Sequence, residues 1–584
     1  MRVQIHPKYR QQHILFTAPF ADGGFAKLGA FPAFAKFEGR SLKVRINDVN
    51  IAHLIENWPG AEWDEDVAHL RDECLANQAN AAELEAARQN LPLGEDSFPY
   101  KRQPMEHQRK GFLISRDQKA FAYLMEQGTG KTKVVIDNAC YLFEKGLIKC
   151  LIIIAWPNGV HRMWHDDELP NDMSVPYASQ FWSTNNTKAK SWEIQKVFES
   201  ARGGKMAVMT FNVEAFTSAS ARDCIKNFLR LPSMVVIDQS ASIKNPNSKR
   251  TEFIIDEIAD HPNALYKRIM DGDPVAEGAE ELYCQYKFLD PSIIGHDTIT
   301  GFRNEYCNIG RFREVIGYRN LDRLRKRTEP YSFRITADEA LDLPERVYKR
   351  WDFDLSKQEL RVFNEMRSKS IAFFEPRGSD FDEAGELPES GCIEETMAMV
   401  KNMRLQQISS GWWPEADNFK ALEPESGPSR LGALTALLGL AKGKALIFAR
   451  FRADLELIQK TLGKSAVSYH GGIKENDRAL AKKRFMNDPD VLYFIGQPRN
   501  AGIGHTLTAA RHVIFYSNDY SLRLRAESEK RAHRKGLKNS LTVWDICGRR
   551  TQDNKILQSL RNKRAVAADI LQDPESFFLD HHED

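Results

Sequence analysis

The sequence predicts an α/β protein: two lobes with parallel sheets and helical insertions, preceded by a small N-terminal α+β domain. Three observations predict it. At 584 residues the chain is too long for one ordinary domain. Lys149–Pro157, Lys205–Asn212 and Ser233–Asp238 are short, nearly continuous apolar runs separated by amphipathic stretches, the pattern of buried parallel strands with crossover helices. A second set, Lys444–Arg450, Asp490–Gly496 and Arg511–Ser517, repeats that pattern near the C-terminus.

Residues 1–95 form the expected small N-terminal α+β accessory domain. Ser41–Ile46 alternates as a strand, and Asn50–Gly60 reads as a short helix stopped by Pro59-Gly60. Residues 61–100 carry ten acids and two bases, which suits a solvated helical surface better than a DNA-contacting one. Pro92 and Gly94 mark a linker. Lobe one is expected over 96–330, an irregular linker and insertion over 331–428, and lobe two over 429–584. Within the linker, residues 375–395 hold eight acids and one base and are read as facing solvent.

Composition narrows the class. Hydrophobic residues are 42% and charged residues 28%, enough apolar content to exclude a disordered or fibrous chain. Lys+Arg 82 against Asp+Glu 80 leaves the question of a nucleic-acid partner to local charge. Eight cysteines contain no CxxC pair, so Cys140 and Cys150 are expected as buried thiols in a reducing compartment. The N-terminus lacks the apolar run of a secretory signal, and no 18-residue apolar stretch occurs, so the expectation is cytoplasmic, without a membrane.

Met125–Lys133, MEQGTGKTK, is the strongest short signal. Gly128 and Gly130 permit a tight loop whose N–H groups converge on phosphate, with Thr129 between them. Lys131 suits the β- and γ-phosphates and the Thr132 hydroxyl suits Mg²⁺. The strand-like segment before it and VVIDNACYLF after it supply the strand–loop–helix context, although the strict motif's first glycine is Met125 here. Asp238, ending the run MVVID, supplies the acid that a Mg²⁺-ATP site needs. A carboxylate at the next position would orient and deprotonate the attacking water. That residue is Gln239, which can hydrogen-bond water but has no useful basicity.

In order along the chain, these segments resemble the Snf2 family of double-stranded-DNA translocases, within helicase superfamily 2. Met105–Phe112 is similar to the segment before the phosphate loop whose glutamine contacts adenine, here Gln108. Leu151–Trp164, Met234–Pro246 with Lys244-Asn245, and Arg268–Pro291 resemble the next motifs. Gly272-Asp273-Pro274 stands where the family commonly has Gly-Thr-Pro. Lys444–Phe451, Ser468–Phe485, Arg499–Ser517 with Gly502 and Gly504, and Glu527–Leu537 resemble the second-lobe motifs, although the family usually has glutamines in place of Glu527 and Leu537.

The resemblance covers roughly residues 100–550. It implies two RecA-like lobes, ATP and Mg²⁺ as cofactors, and sequence-nonspecific movement along double-stranded or branched DNA. Lys131, Thr132 and Asp238 would hold the Mg²⁺-triphosphate, while Arg531 and Arg534 would reach it from lobe two. Gln239 is then either an engineered trap that holds ATP or a natural variant with altered chemistry. A phage or bacterial member, DNA-associated and acting on protein–DNA complexes or branched DNA, is expected; a protein partner is possible and oligomerisation is not required.

DNA contact is less legible. Residues 521–550 carry nine Lys/Arg and three Asp/Glu, read as part of a phosphate-tracking groove in preference to a solvated helix. Trp156 and Trp164 read as packing anchors before base-stacking platforms. A strand-separating helicase, a non-hydrolysing nucleotide-dependent DNA-binding module and a signalling ATPase are the competing readings.

Overall fold

In a computed structural model, the described residues are 1–8, 13–17, 35–38, 41–89, 97–156, 160–183, 188–311, 313–372, 390–415, 418–422, 427–473, 475–501, 507–534, 536–537 and 539–571. They divide into two compact units, essentially Met1–Ala340 and Leu341–Ala568.

The first unit opens on a five-stranded sheet in the order Ala35–Glu38, Ser41–Arg45, His13–Thr17, Arg2–Ile5, Glu62–Trp63. All its pairings are antiparallel except that between Arg2–Ile5 and Glu62–Trp63. The alternation in Ser41–Arg45 buries Leu42 and Val44 against Val3, Ile14 and Phe16. The helix Asp48–Asn57 is started by Asn47, whose side chain accepts from the Asn50 amide at 2.8 Å. The long helix Glu65–Gln89 turns only a thin line inward, including Val67, Cys74 and Leu84. This explains how so acidic a stretch remains helical: its charge lies on the outer face.

The main sheet of this unit has seven strands, in the order Ser332–Ile335, Ala120–Met125, Ala264–Met270, Ser233–Asp238, Cys150–Ala155, Met206–Asn212, Tyr177–Phe181. Every pairing is parallel. Cys150–Ala155 and Ser233–Asp238 are buried at every position, as expected for central strands covered on both faces. Each fully buried aliphatic side chain there contributes about 1.5–3 kcal/mol. Arg268 is also fully buried in this layer. Its guanidinium donates to the carbonyls of Ser115, Gln118, Lys119 and Lys267 and to Asn138, tying the end of the helix Glu106–Ser115 to the sheet without any carboxylate.

The second unit has a six-stranded parallel sheet in the order Arg346–Phe353, Leu541–Gly548, His512–Phe515, Ala445–Phe448, Tyr493–Gly496, Ala466–Tyr469. Buried Arg430 donates to the Tyr516 and Ile546 carbonyls and to Asp553. The two-lobed α/β architecture with an N-terminal α+β domain is therefore as expected. The segment 331–428 is not only a linker: Ser332–Ile335 completes the first unit's sheet and Arg346–Phe353 forms an edge of the second unit's sheet. Ser332–Ile335 is short, and the polar-rich RVYKRWDF lacks a continuous apolar run, so neither has the composition of a central strand. Residues 375–389 of the acidic stretch lie outside the described residues, and the helix Ser390–Ser409 follows them.

Cys74, Cys140, Cys150, Cys224, Cys284, Cys307 and Cys547 are free thiols, and Cys140 and Cys150 are buried as expected, with burial pushing the Cys150 thiol up to about 12. No group of acidic, His or Cys residues suited to a metal ion occurs among the described residues, and no described helix is long and apolar enough to cross a membrane.

In the second unit Asp454 accepts from Trp412 Nε1 and Ser517 Oγ, each at 2.8 Å, and burial pushes its carboxyl up to about 6 from 3.8. The folded carboxyl thus keeps a proton that the unfolded chain releases earlier. Stability falls as pH rises through that window and levels off above it, by on the order of 2 kcal/mol. Asp454→Asn removes this slope, and chemical denaturation measured between the two pKa values and above checks it; an unchanged slope refutes the assignment.

Candidate nucleotide site

The loop Glu126–Gly130 connects the strand Ala120–Met125 to the helix Lys131–Glu144. Gly128 and Gly130 have φ of 91° and 81°, a left-handed conformation that turns successive N–H groups the same way. Buried Thr129 anchors the loop: its hydroxyl donates to the Glu126 carbonyl at 2.7 Å. Its own carbonyl accepts from Gln108 Nε2 at 2.9 Å and His107 Nε2 at 2.8 Å. A Cβ on residue 130 would stand 2.0 Å from Gln108 Nε2, so the cradle depends on glycine there twice over. Gln108 Oε1 accepts from the Met105 amide at 3.0 Å, so the glutamine expected to meet adenine has both ends of its amide bonded to the protein and holds the loop.

Lys131 and Thr132 open the helix, Lys131 buried and Thr132 half-buried. The neighbouring Lys133 points elsewhere. It pairs with Asp137 at 2.9 Å and lies 3.7 Å from Asp172, which also pairs with Arg102 at 2.7 Å. Burial pushes the Asp137 carboxyl up to about 7 against the pull of Lys133. The two lysines of GKTK thus divide: Lys133 pairs with buried carboxylates, while Lys131 begins the helix directly after the glycine loop and its charge acts on Asp238.

Asp238 ends its strand and accepts from Trp164 Nε1 at 2.8 Å. Burial raises its carboxyl, while the Trp164 bond and the Lys131 charge oppose the rise. Trp164 is 1% exposed, so it is a packing anchor, as expected, and it also orients this acid. Gln239 has φ of 61° and ψ of 62°, an uncommon conformation for a residue other than glycine, and one that costs about 1 kcal/mol or more.

The following turn is held from three sides. Ser240 Oγ donates to Gln285 Oε1 at 2.5 Å and the Ala241 amide donates to Asp271 Oδ2 at 2.9 Å. Lys244 pairs with buried Glu281, which also accepts from the Ala276 and Glu277 amides. Asp273 donates its amide to Asp271 Oδ1 at 2.9 Å.

In the second unit Arg531 and Arg534 lie in the turn after the helix Leu522–Glu529. Arg531 is 1% exposed; burial and the neighbouring Arg534 charge push its pKa down to about 10, and burial lowers Arg534 as well. The Glu527 carboxylate opposes this lowering at Arg531. The basic stretch 521–550 is not a phosphate-tracking surface throughout. Arg525 is buried, pairing with Glu529 at 2.9 Å and Asp545 at 2.5 Å, and Lys530 and Arg531 are buried too. Counting charge along the chain could not distinguish internal ion pairs from an exposed face.

The loop residues Gly128 to Thr132, with Gln108, Asp238 and Gln239, are thus all features of the first sheet's loop-bearing ends, whereas Arg531 and Arg534 share a turn of the second unit. Gly502 and Gly504 lie outside the described residues. His107, Asp271, Glu281 and Gln285 were missed. His107 adjoins Gln108, and Asp271 follows the apolar end of RIM, but only three-dimensional pairing assigns their partners.

Residues 107–408 match the family described as SNF2-related domain, and residues 429–536 match the family described as helicase conserved C-terminal domain. The chain is 22% identical over 481 residues to chromodomain-helicase-DNA-binding protein 1-like of Danio rerio, covering 80% of this chain and 43% of that protein. It is 24% identical over 457 residues to DNA annealing helicase and endonuclease ZRANB3 of Homo sapiens, covering 76% and 38%. The chain spans less than half the length of these relatives. A solved structure, the Sulfolobus solfataricus SWI2/SNF2 ATPase core in complex with dsDNA, is 16% identical with a TM-score of 0.36, covering 82% of this chain and 94% of that one.

Gly130→Ala forces a side chain into Gln108 and into a left-handed backbone. It is expected to weaken binding of a fluorescent ATP analogue by about tenfold or more, with the secondary structure retained. Wild-type affinity in this variant would count against the loop as a phosphate cradle.

Proposed function

The chain belongs to the SNF2-related domain family, and on that premise we propose that it is a DNA-dependent ATP hydrolase that translocates along duplex DNA. One observation carries the reading: a glycine cradle opening a helix at Lys131, on the same parallel sheet as a buried strand-end acid whose charge Lys131 stabilises. The residues fit Mg²⁺-ATP, because the cradle leaves no room for a side chain at Gly130 and the acid is held by an indole N–H. Thr132 and Asp238 would hold Mg²⁺, which when bound neutralises charge on the triphosphate.

The protein's own groups divide the work. The loop N–H groups and Lys131 bind the phosphates, and Trp164 keeps Asp238 oriented. Arg531 and Arg534 are proposed to meet the negative charge that develops during phosphoryl transfer, a task for which their poorly solvated charges are suited. Gln239 can orient the attacking water but cannot accept its proton, so hydrolysis by this sequence is impaired whatever the origin of that residue.

The substrate is proposed to be protein–DNA complexes or branched DNA, with any protein partner unidentified and no second copy required. A DNA-associated location is part of this proposal, whereas the relatives, from fish, fission yeast and human as well as Mycoplasma genitalium, do not single out a phage or bacterial origin. Gln239 favours one second reading, a nucleotide-dependent DNA-binding module that does not hydrolyse.

ATP turnover by this chain and by Gln239→Glu, each with and without linear duplex DNA, separates the readings. The motor reading expects DNA-stimulated turnover to rise about a hundredfold or more on restoring the carboxylate. ATP binding without turnover in both proteins makes the binding module the better account. In the Gln239→Glu background, Arg534→Ala is expected to leave DNA affinity intact and lower stimulated turnover at least about a hundredfold. Undiminished turnover removes Arg534 from the proposed pair.

A further inference from the structure

Apart from the seven-stranded sheet, the first unit carries a two-stranded antiparallel hairpin, Cys307–Ile309 with Val315–Tyr318. Its register runs Cys307 to Tyr318, Asn308 to Gly317, then Ile309 to Val315, which leaves Ile316 as an extra residue in the second strand. Such a bulge re-aims a side chain out of the regular alternation. Ile316 is 67% exposed, and Ile309 is exposed as well. At that exposure the Ile316 side chain adds little to the hairpin's own packing.

The surroundings are strongly basic. Residues 303–327 contain eight Lys/Arg and three Asp/Glu. One of the three acids, Glu305, is buried and already engaged by His296 at 2.6 Å and Arg323 at 3.1 Å. Arg311 and Arg313 are exposed beside the turn, and Arg319, Arg323 and Lys326 are exposed beyond it. The base of the hairpin is fixed: Tyr318 donates to Glu280 at 2.9 Å, Asn320 Nδ2 donates to the Glu305 carbonyl at 2.9 Å, and Arg319 donates to the Asn304 and Glu305 carbonyls. The next residue after Glu280 begins the helix Glu281–Leu289, whose Glu281 and Gln285 hold the turn following Gln239.

We propose that this hairpin is a junction-recognition element for branched DNA, in which Ile316, with Ile309, packs on the end base pair where a duplex opens and Arg311 and Arg313 hold the flanking phosphates. The inference rests on the duplex-DNA reading above and specifies which DNA feature it takes. A flat end base pair presents an apolar face that an intact duplex hides, and the negatively charged strands diverge around it. An exposed apolar residue on a fixed base, with exposed arginines in the turn of the same hairpin, complements that arrangement. A continuous duplex offers only phosphates, which the arginines alone would meet without discrimination.

The test compares full-length protein binding, by fluorescence anisotropy, to a linear duplex and to a fork made from the same duplex with two unpaired arms. A fluorescent adenine analogue at the junction reports stacking. Wild type is expected to prefer the fork. Ile316→Ser is expected to lower fork affinity about fivefold and to abolish the junction signal, with linear-duplex affinity changed less than about twofold. Arg311→Ala combined with Arg313→Ala is expected to lower fork affinity about tenfold and to flatten its salt dependence. All three side chains are exposed, so thermal unfolding should be unchanged. Equal losses on both DNAs in Ile316→Ser, an unaltered fork affinity in that variant, or no fork preference in wild type would overturn the proposal. Failure of wild type to bind either DNA would instead overturn the duplex-DNA reading on which it rests.

Discussion

The constraint on which the rest depends is the common direction of the strands in the first unit's main sheet. With all seven parallel, every strand needs a crossover, and the loops that follow the strands all leave from the same edge. The phosphate loop after Ala120–Met125, the turn after Ser233–Asp238 and the turn after Ala264–Met270 are such loops. Asp271 bonds the Ala241 amide because those two strands are neighbours in register, Asp238 beside Met270. A meander would have sent alternate loops to opposite edges and separated Lys131 from Asp238.

Crowding several loops onto one edge leaves backbone and charge to be satisfied, and buried side chains do this. Arg268 and Arg430 each gather several backbone carbonyls from separate elements of their own unit. Glu281 takes two loop amides and Lys244 together. Removing one partner of such a buried set typically costs about 3–5 kcal/mol, because the other partner keeps its desolvation penalty. The glycine loop itself is held by Thr129 on the Glu126 carbonyl and by Gln108 and His107 on the Thr129 carbonyl, and a loop fixed in this way could present its N–H groups to an anion without reorganising first.

The chemistry of the site turns on a distribution of protons. The acid at 238 is buried yet kept usable by an indole N–H and a nearby ammonium. The residue beside it has no proton-accepting group at all. On the proposed reading, binding and turnover depend on different atoms, which is why restoring a carboxylate at position 239 separates them. Burial likewise lowers both arginines of the second unit, and the Glu527 carboxylate partly offsets this at Arg531.

Local chemistry was legible in the sequence. Apolar runs such as CLIIIA and SMVVID announced central strands because a strand covered on both faces must be apolar throughout, and GTGKTK announced a left-handed glycine loop opening a helix. The order of these segments pointed to the family. The sequence left undecided which of two adjacent lysines serves the loop, and that Gln108 bonds the Thr129 carbonyl. Nor did it determine that the basic stretch around Arg525 is largely consumed by Glu529 and Asp545, or that RVYKRWDF completes an edge of the second sheet. Each of these depends on a partner distant along the chain: Asp172 for Lys133, Trp164 for Asp238, Asp545 for Arg525. Periodicity and composition describe what a segment can bury, while pairing across such separations is decided only when the sheets assemble.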